Sequence, residues 1–335
     1  MDFPHPGLVT IIIPVFNRPE MLREAVASAL AQTYRPIEIV IIDDGSTDRT
    51  PSVIADLAAA HAGVIRALRQ ENAGPGTARE RGRLAARGEF IQYLDSDDLL
   101  LPRKLELQVQ ALRSAPRCGV AYGITHLVNA EGQSRRTPFK GTGRRFEFLF
   151  PDLLVDRWWN THTPLWRREV CDRIGPWPAM RIGEDWVYDA RAGSLRVSLA
   201  YVAEPVAETR THDEARLTGG GATRAKLLDM ASVMFELDRC SREAGCSREM
   251  PEVQHFVRHV FLMARQAGGA GESDIAWRLL SLARSLATPK DPKMQAVAWT
   301  ARTLGWRMTS RLCGLAERLR GPQADAAREH GGSRA

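Results

Sequence analysis

The chain has 335 residues, of which 44% are hydrophobic and 26% are charged, and its formal net charge is +6. These values are typical of a soluble globular protein with one large domain and a smaller one, and the lack of any run of about eighteen apolar residues excludes a helix that spans a membrane. The positive charge comes from scattered arginines and favours anionic ligands, whereas no zinc finger or RNP-type segment indicates nucleic acid as a partner.

Strand and helix patterns alternate from the N-terminus. The four apolar strand patterns are LVTIIIPV (8–15), IEIVIIDD (37–44), VIRALRQ (64–70) and GEFIQYL (88–94). The helical patterns that follow them are PEMLREAVASALAQT, STDRTPSVIADLAAA, GTARERGRLAAR and PRKLELQVQALRS. The first two strands are apolar almost throughout, as strands covered on both faces of a sheet should be. The alternation predicts a doubly wound, mainly parallel α/β sheet.

The pattern becomes mixed after Val120 and is helical from about residue 222 to about residue 320. The final segment, GPQADAAREHGGSRA, is polar, which indicates disorder. We therefore predict an α/β domain over residues 1–221, a helical C-terminal region over 222–320 and a disordered tail over 321–335.

The cysteines and the N-terminus indicate where the protein is found. The five cysteines are odd in number and lack the spacing of metal ligands, which favours a reduced, cytosolic setting. The N-terminal segment MDFPHPGLVTIII has no basic region before a long apolar stretch, so no signal peptide is predicted. We expect a cytoplasmic protein, attached at most to the inner face of the membrane.

Polar clusters follow three of the predicted strands, at residues 14–17, 43–46 and 95–98. Ligands of open α/β sheets bind beyond the carboxyl ends of the strands. We therefore expect these clusters to meet at one edge of the sheet. A carboxylate there can accept hydrogen bonds from a base or ribose, whereas Asp-Gly in the second cluster is also a turn signal.

The third cluster, Asp95-Ser96-Asp97-Asp98, crowds three carboxylates into four positions. Mg²⁺ and Mn²⁺ prefer oxygen ligands and bind through one or two carboxylates plus substrate phosphates. Such an ion would relieve the repulsion between the carboxylates. The alternative is that Asp97 or Asp98 merely caps the helix predicted after Pro102.

Three further segments contain candidate site residues. Arg79 lies in the glycine-rich NAGPGTARERG, where it can face an anionic ligand or belong to a plain loop. Glu184 and Asp185 follow a glycine, and either can act as a general base. The alternative is that they lie in the first turn of a helix, where acidic side chains interact favourably with the helix dipole. His212 precedes a glycine run and is either a metal ligand or a structural histidine.

A helical stripe of apolar residues lies near the C-terminus. It consists of Leu304, Met308, Leu312, Leu315 and Leu319, with arginines along its flank. Packing against the preceding helices is the favoured interpretation. The alternative is peripheral attachment of the C-terminal helices to an anionic membrane leaflet.

Taken in order, these segments resemble the family 2 glycosyltransferases, which are inverting nucleotide-sugar transferases with the GT-A fold. The matching segments are TIIIPVFNRPEMLREAVASALAQTY, IEIVIIDDGSTDRT, GEFIQYLDSDDLLLPRKLE, GEDWVYDARAG and ETRTH. Each is short, but five in this order make a specific match over roughly residues 8–217. The resemblance implies that residues 1–221 form a nucleotide-sugar-dependent glycosyltransferase domain of the GT-A type, with a helical C-terminal extension.

The resemblance also implies roles for individual residues. The base and ribose of the nucleotide would be lined by Pro14, Phe16, Asn17 and Asp44, and the nucleotide sugar would also contact Arg79, Asp95 and Ser96. Asp97 would ligate the metal, with Asp95 and His212 as further candidate ligands. Asp185 would be the catalytic base beside Glu184, although either of the two could serve.

The implied reaction is the metal-dependent, inverting transfer of a sugar from a UDP-, GDP- or dTDP-linked donor to a hydroxyl acceptor, with Mn²⁺ or Mg²⁺ as cofactor. The acceptor would be a glycan or lipid-linked molecule in cell-surface polysaccharide or glycoconjugate biosynthesis, and association into a homo-oligomer stays open. Two other interpretations also stay open. One is a HAD-like phosphatase or phosphotransferase with Asp95 as nucleophile, and the other is a non-catalytic scaffold on the same fold.

Overall fold

The computed structural model describes residues 4–129, 131–211 and 223–320. These residues form an α/β fold with one mixed β-sheet and surrounding helices. The strands are β1 (His5–Val15), β2 (Ile37–Asp43), β3 (Ile65–Arg69), β4 (Gly88–Tyr93), β5 (Leu99–Leu100), β6 (Cys118–Val128), β7 (Ser134–Arg135), β8 (Leu165–Arg167) and β9 (Ser198–Arg210). The helices of the α/β part are α1 (Pro19–Leu30), α2 (Thr50–Ala60), α3 (Pro75–Ala85), α4 (Lys104–Ser114), α5 (Arg168–Ile174) and α6 (Glu184–Ser194). The C-terminal helices are α7 (Arg224–Glu243), α8 (Pro251–Gly269), α9 (Ser273–Leu286), α10 (Pro292–Leu304) and α11 (Trp306–Arg320).

The described strands form one sheet in the order β3-β2-β1-β4-β8-β6-β9-β5, with β7 paired to β6. β1 lies between β2 and β4 and is parallel to both, and β3 pairs in parallel with β2. In the other half, β6 and β9 are parallel, while β5, β7 and β8 pair antiparallel with their neighbours. The predicted doubly wound, mainly parallel sheet is confirmed, and the antiparallel strands are additions that follow β4.

A large apolar cluster joins the parallel half of the sheet to α1 and α4. Its buried members include Ile11, Ile13, Ile39, Ile41 and Phe90 from the strands and Leu22, Val26, Leu105 and Val109 from the helices. Each such side chain stabilises the fold by about 1.5–3 kcal/mol when it leaves water. Because β1 and β2 are buried and paired in register, with Val15 opposite Asp43, the carboxyl ends of these strands are held side by side.

α3 approaches the sheet closely because one face of this helix carries glycines. Gly76, Arg79 and Gly82 follow one another at intervals of three and therefore share that face. A Cβ atom added at Gly82 would overlap Ile12 of β1, and one added at Gly76 would overlap the carbonyl oxygen of Pro178. The close approach leaves Arg79, between the two glycines, with a buried side chain.

The chain divides into two compact units, Met1–Gly221 with Phe235–Cys246, and Ala222–Met234 with Ser247–Ala335. The first unit contains the sheet, and the second contains α8, α9, α10 and α11. The helical C-terminal region that the sequence predicts is therefore present. Among the described residues, no helix combines the length and the apolar character that crossing a membrane requires.

Within the second unit, the prediction that the C-terminal apolar stripe packs against the preceding helices is wrong for four of its five residues. Leu304, Met308, Leu312 and Leu315 are exposed, and the side chain of Leu319 lies outside the described part of the chain. The physical reason is that α11 packs through another side, where Trp306 and Thr309 are buried, and that Gly305, with a φ of 76°, ends α10 just after Leu304. Trp306 takes the packed position instead, against Gly268 of α8.

Candidate active site

The carboxyl ends of β1, β2 and β4 lie next to one another, as the sequence predicts. The amide of Asp44, just after β2, donates to the carbonyl of Val15 at 2.9 Å, and the amide of Leu94, just after β4, donates to the carbonyl of Ile12 at 2.9 Å. The polar clusters that follow these strands therefore share one edge of the sheet. We call this edge, formed by residues 14–17, 43–46 and 95–98, the carboxyl edge.

Arg79 of α3 joins two parts of the sequence that are far apart. Its Nη2 donates to Oδ1 of Asp95 at 2.6 Å, and its Nη1 donates to Oε1 of Glu184 at 2.7 Å. The guanidinium is buried and lies 4.9 Å from the centre of the Trp177 ring. The neighbouring carboxylates outweigh burial and raise the pKa of Arg79 above its ordinary value, so this buried group keeps its charge. The acidic turn after β4 and the Glu184–Asp185 segment therefore meet at the carboxyl edge.

The other two carboxylates of the acidic turn have different partners. Oδ2 of Asp97 lies 2.5 Å from Nη1 of Arg18, which follows β1. Arg210, the last residue of β9, donates from Nε to the carbonyl of Asp97 at 2.6 Å and from its backbone amide to Oδ1 of Asp98 at 3.1 Å. Arginines thus offset charge within the turn, and the end of β9 is fixed beside it.

His162 belongs to the same neighbourhood, although the sequence analysis did not identify it. Its Nδ1 lies 2.8 Å from Oδ2 of Asp98, and its Nε2 lies 3.2 Å from Oγ1 of Thr209. Burial raises the pKa of Asp98, against the opposing effect of His162. Ligand atoms of Asp95, Asp98 and His162 all lie within 4.8 Å of one another. No spacing in the sequence connects His162 to the turn, so only the fold reveals it.

Glu184 is the first residue of α6 and follows Gly183, whose φ of 76° is left-handed. The side chain is buried. Burial, together with the negative charge of Asp185, raises the pKa of Glu184 to about 7, against the opposing effect of Arg79. This carboxyl group therefore changes its protonation state near neutral pH.

Asp185 is held by Arg157, a second residue that the sequence analysis missed. Nη1 of Arg157 lies 2.8 Å from Oδ2 of Asp185, and its Nε donates to Oδ2 of Asp189 at 2.7 Å. Trp159 donates from Nε1 to the same Asp189 oxygen at 2.8 Å. Asp185 and Asp189 are four residues apart on one face of α6, and this spacing is the signal that could have predicted a cation between them.

Asp44 accepts three hydrogen bonds from the loop that precedes α3. Its Oδ1 accepts from Nε2 of Gln70 at 2.8 Å and from the amide of Ala73 at 2.9 Å, and its Oδ2 accepts from the amide of Gly74 at 2.9 Å. Asp44 therefore positions the start of the helix that carries Arg79.

Four other predicted site residues belong to the carboxyl edge. Asn17 has a left-handed φ of 51°, and its Oδ1 accepts from the amide of Thr47 at 2.8 Å, which ties the ends of β1 and β2 together. Phe16 is exposed beside it, whereas Pro14 and Ser96 are buried. His212 lies outside the described residues.

Residues 10–166 match the model of the family described as glycosyl transferase family 2. The match covers a little under half of the chain, which is therefore similar to this family over these residues. A curated family relative, an uncharacterized glycosyltransferase of Rickettsia felis, is 40% identical over 130 residues, which are 38% of this chain and 21% of the relative. The chain thus spans only about a fifth of the length of this relative.

Solved glycosyltransferase structures share the fold of this chain. TarS 1-349 of S. aureus, solved in complex with UDP-GlcNAc, superposes with a TM-score of 0.61 at 15% identity, with 92% of each chain covered. The mannosyltransferase PcManGT of Pyrobaculum calidifontis, solved in complex with GDP-Man and Mn²⁺, gives a TM-score of 0.52 at 15% identity, covering 92% of this chain and 86% of that one. The predicted GT-A fold is confirmed.

The donor groups of this site fit a hard divalent cation. The Asp95 and Asp97 side chains are 27% and 21% exposed, so their carboxylate oxygens can face a solvated ion at the carboxyl edge. Asp98 is almost fully enclosed and lies against His162. Oxygen donors of this kind, with open positions for phosphate oxygens, suit Mg²⁺ or Mn²⁺.

Proposed function

We propose that this protein transfers a sugar from a nucleoside-diphosphate sugar to a hydroxyl group, with inversion at the anomeric carbon and with Mn²⁺ or Mg²⁺ as cofactor. One observation supports this proposal above the others. The buried guanidinium of Arg79 contacts Asp95 at 2.6 Å and Glu184 at 2.7 Å, so that the acidic turn and the Glu184–Asp185 segment lie at one edge. Donor-binding and acceptor-activating groups need this proximity to act on one substrate pair.

Asp185 is the better candidate for the catalytic base. Its side chain is 28% exposed, whereas that of Glu184 is 7% exposed and faces Arg79. A base must reach the acceptor hydroxyl within hydrogen-bonding distance. Asp185 would take the acceptor's proton as the oxygen attacks the anomeric carbon, on the face opposite the leaving diphosphate. Arg157 would orient the carboxylate through its contact with Oδ2.

The donor would lie along the carboxyl edge. We propose that exposed Phe16 and neighbouring Asn17 contact the base and ribose, and that Asp44 shapes this region through the loop before α3. Asp95 and Asp97 would hold the divalent cation, which stabilises the charge that develops on the departing nucleoside diphosphate. Of the predicted ligands, His212 stays a proposal for the same site. The acceptor would be a glycan or a lipid-linked hydroxyl.

A donor panel tests the proposal. UDP-, GDP- and dTDP-sugars are added to the full chain with Mn²⁺, Mg²⁺ or chelator, and thermal stability and release of nucleoside diphosphate are measured. We expect one donor class to raise the melting temperature only with a metal ion. Asp97→Ala should remove that shift, and Asp185→Asn should keep it while lowering turnover by about 10²–10⁴-fold.

Asp56→Asn is the matched control, because Asp56 is an exposed aspartate on α2 with a single contact of 3.7 Å to Arg23. It should leave both the donor-induced shift and turnover unchanged. The proposal is wrong if no nucleotide sugar stabilises the protein with either metal, or if Asp185→Asn turns over donor as fast as the unaltered chain.

A further inference from the structure

The last two helices of the second unit present large apolar side chains to solvent. Five of these side chains are between 42% and 67% exposed: Trp299, Leu304, Met308, Leu312 and Leu315. Soluble proteins expose single apolar residues commonly, but a group of this size on consecutive helices usually marks a binding surface. We call these five residues the apolar face.

The apolar face of α11 is separate from the side that packs within the unit. Trp306 and Thr309 are buried, and Trp306 lies against Gly268 of α8. Met308, Leu312 and Leu315 follow at intervals of four and three, so they form one stripe on another side of the same helix. Packing within the unit therefore does not account for these three side chains.

Basic residues predominate in the two helices that carry the apolar face. Residues 292–320 contain six lysines and arginines, among them Arg307 and Arg311, and one acidic residue, Glu317. Arg307 and Arg311 are four residues apart and, at helical spacing, run along one edge of the stripe formed by Met308, Leu312 and Leu315. An apolar stripe with a basic edge is the pattern of helices that lie in the interface of an anionic leaflet.

The same charge disfavours a second copy of the chain as the occupant. A symmetric dimer pairs a patch with itself, so that the mainly basic surroundings of the apolar face, including Arg307 and Arg311, would face an equally basic surface of the second copy. Like charges placed opposite each other weaken such an interface. An anionic lipid surface instead complements both the arginines and the apolar side chains.

We propose that the apolar face of α10 and α11 docks onto an anionic membrane leaflet, with Met308, Leu312 and Leu315 in the acyl boundary and Arg307 and Arg311 at the headgroups. This proposal does not rest on the proposed sugar transfer. Docking would be peripheral and weakened by salt, because part of the attraction is between arginines and headgroups.

Vesicle sedimentation of the full chain tests the proposal. We expect binding to vesicles that contain phosphatidylglycerol, and little binding to vesicles of phosphatidylcholine alone. Leu312→Glu should lower the bound fraction most, and Arg307→Gln with Arg311→Gln should weaken binding by about fivefold per arginine. Leu84→Glu is the matched control, because Leu84 is 68% exposed on α3 of the first unit, and should leave binding unchanged.

Circular dichroism of each variant shows whether it is folded, so that loss of binding is not confused with loss of structure. The proposal is overturned by equal binding to both kinds of vesicle, or by undiminished binding of folded Leu312→Glu. It is also overturned if the unaltered chain ignores the vesicles while light scattering shows a dimer that Leu312→Glu dissociates. That result would assign the apolar face to self-association.

Discussion

Loss of the Arg79 side chain should destabilise the fold strongly. Arg79→Gln would leave Asp95 and the buried carboxyl group of Glu184 without their shared cation. Removing one partner of a buried pair typically costs about 3–5 kcal/mol. We expect the free energy of unfolding, measured by urea titration at neutral pH, to fall by an amount of this order.

Arg49→Gln is the control for that measurement. Arg49 also contacts a carboxylate, Glu20, at 2.6 Å, but the two side chains are 70% and 61% exposed. Exposed pairs contribute about 0–1 kcal/mol because water screens them. Equal losses in Arg79→Gln and Arg49→Gln would contradict the view that Arg79 is a buried junction.

Ionisation of Glu184 makes the free energy of unfolding depend on pH, and the direction of this dependence can be predicted. Its pKa rises from an ordinary value of 4.5 to about 7 in the folded chain. Between these two pH values the unfolded chain has lost the proton that the folded chain still binds, so the free energy of unfolding falls as pH rises and levels off above the folded pKa. The contribution of Glu184 to the free energy of unfolding is therefore fully present below pH 4.5 and is lost as the pH rises through the folded pKa.

Glu184→Gln removes this titration. The slope of unfolding free energy against pH, measured between the two pKa values, should differ from that of the unaltered chain by up to one proton, which is about 1.4 kcal/mol per pH unit. Urea titrations at three pH values in this interval supply the slopes. Parallel slopes in the two proteins would show that Glu184 ionises at its ordinary pKa.

Among the elements, α3 depends on its glycines for its position. Gly76→Ala would push a Cβ atom against the carbonyl oxygen of Pro178 and against the side chain of Glu184. Overpacking of this kind typically costs about 1–3 kcal/mol, and here it would also move Arg79 away from Glu184. We expect a lower melting temperature and lower turnover.

Gly314→Ala is the matched substitution, with the opposite expected sign. Apart from the adjacent residues and the backbone of α11 itself, no atom of the described residues lies within 4 Å of a Cβ atom built at Gly314. Alanine is favoured over glycine in a helix by up to about 1 kcal/mol. The melting temperature should therefore rise slightly, and a fall in Gly314→Ala equal to that in Gly76→Ala would contradict this account of α3.

Local patterns predicted the β-α units of the parallel half because the information is contained in each segment. β1, β2 and β4 each lie within one short, largely apolar segment, and their carboxyl ends place Asn17, Asp44 and Asp95 at one edge. The antiparallel strand β8 is only three residues long and lies between β4 and β6, so no periodicity reveals it. Short strands that form only by pairing with residues far away in the sequence could not be predicted from local patterns.

The same distinction applies to the candidate site. The carboxylates were recognisable because they are crowded at strand ends, whereas their partners come from elsewhere in the chain. Arg157 contacts Asp185, which lies 28 positions further along the chain, and His162 contacts Asp98 from a segment without a predicted element. The negative charge of these carboxylates is partly balanced by side chains from distant segments. From the sequence alone, the repulsion between the carboxylates pointed only to a metal ion.

For the whole molecule, the limit of the first domain is open to direct measurement. The predicted boundary after residue 221 stays a prediction, and the first compact unit also includes Phe235–Cys246. Within that unit, Nη1 of Arg196 donates to the carbonyl of Ala244 at 3.1 Å, and Nε of Arg191 lies 4.0 Å from Glu236. The last turns of α7 are therefore held by the segment that follows the candidate base.

Two shortened chains, ending at Gly221 and at Cys246, should differ in stability. The shorter one loses the contacts of Arg191 and Arg196 and the buried side chain of Leu237, which alone is worth about 1.5–3 kcal/mol. Since each kcal/mol shifts the melting temperature of a protein of this size by about 2–4 °C, we expect the chain ending at Cys246 to melt several degrees higher. Leu237→Ala in that longer chain should remove much of the difference. Equal melting temperatures for the two chains would instead mean that residues 235–246 contribute nothing to the fold of the first unit, and that it ends where the sequence pattern changes.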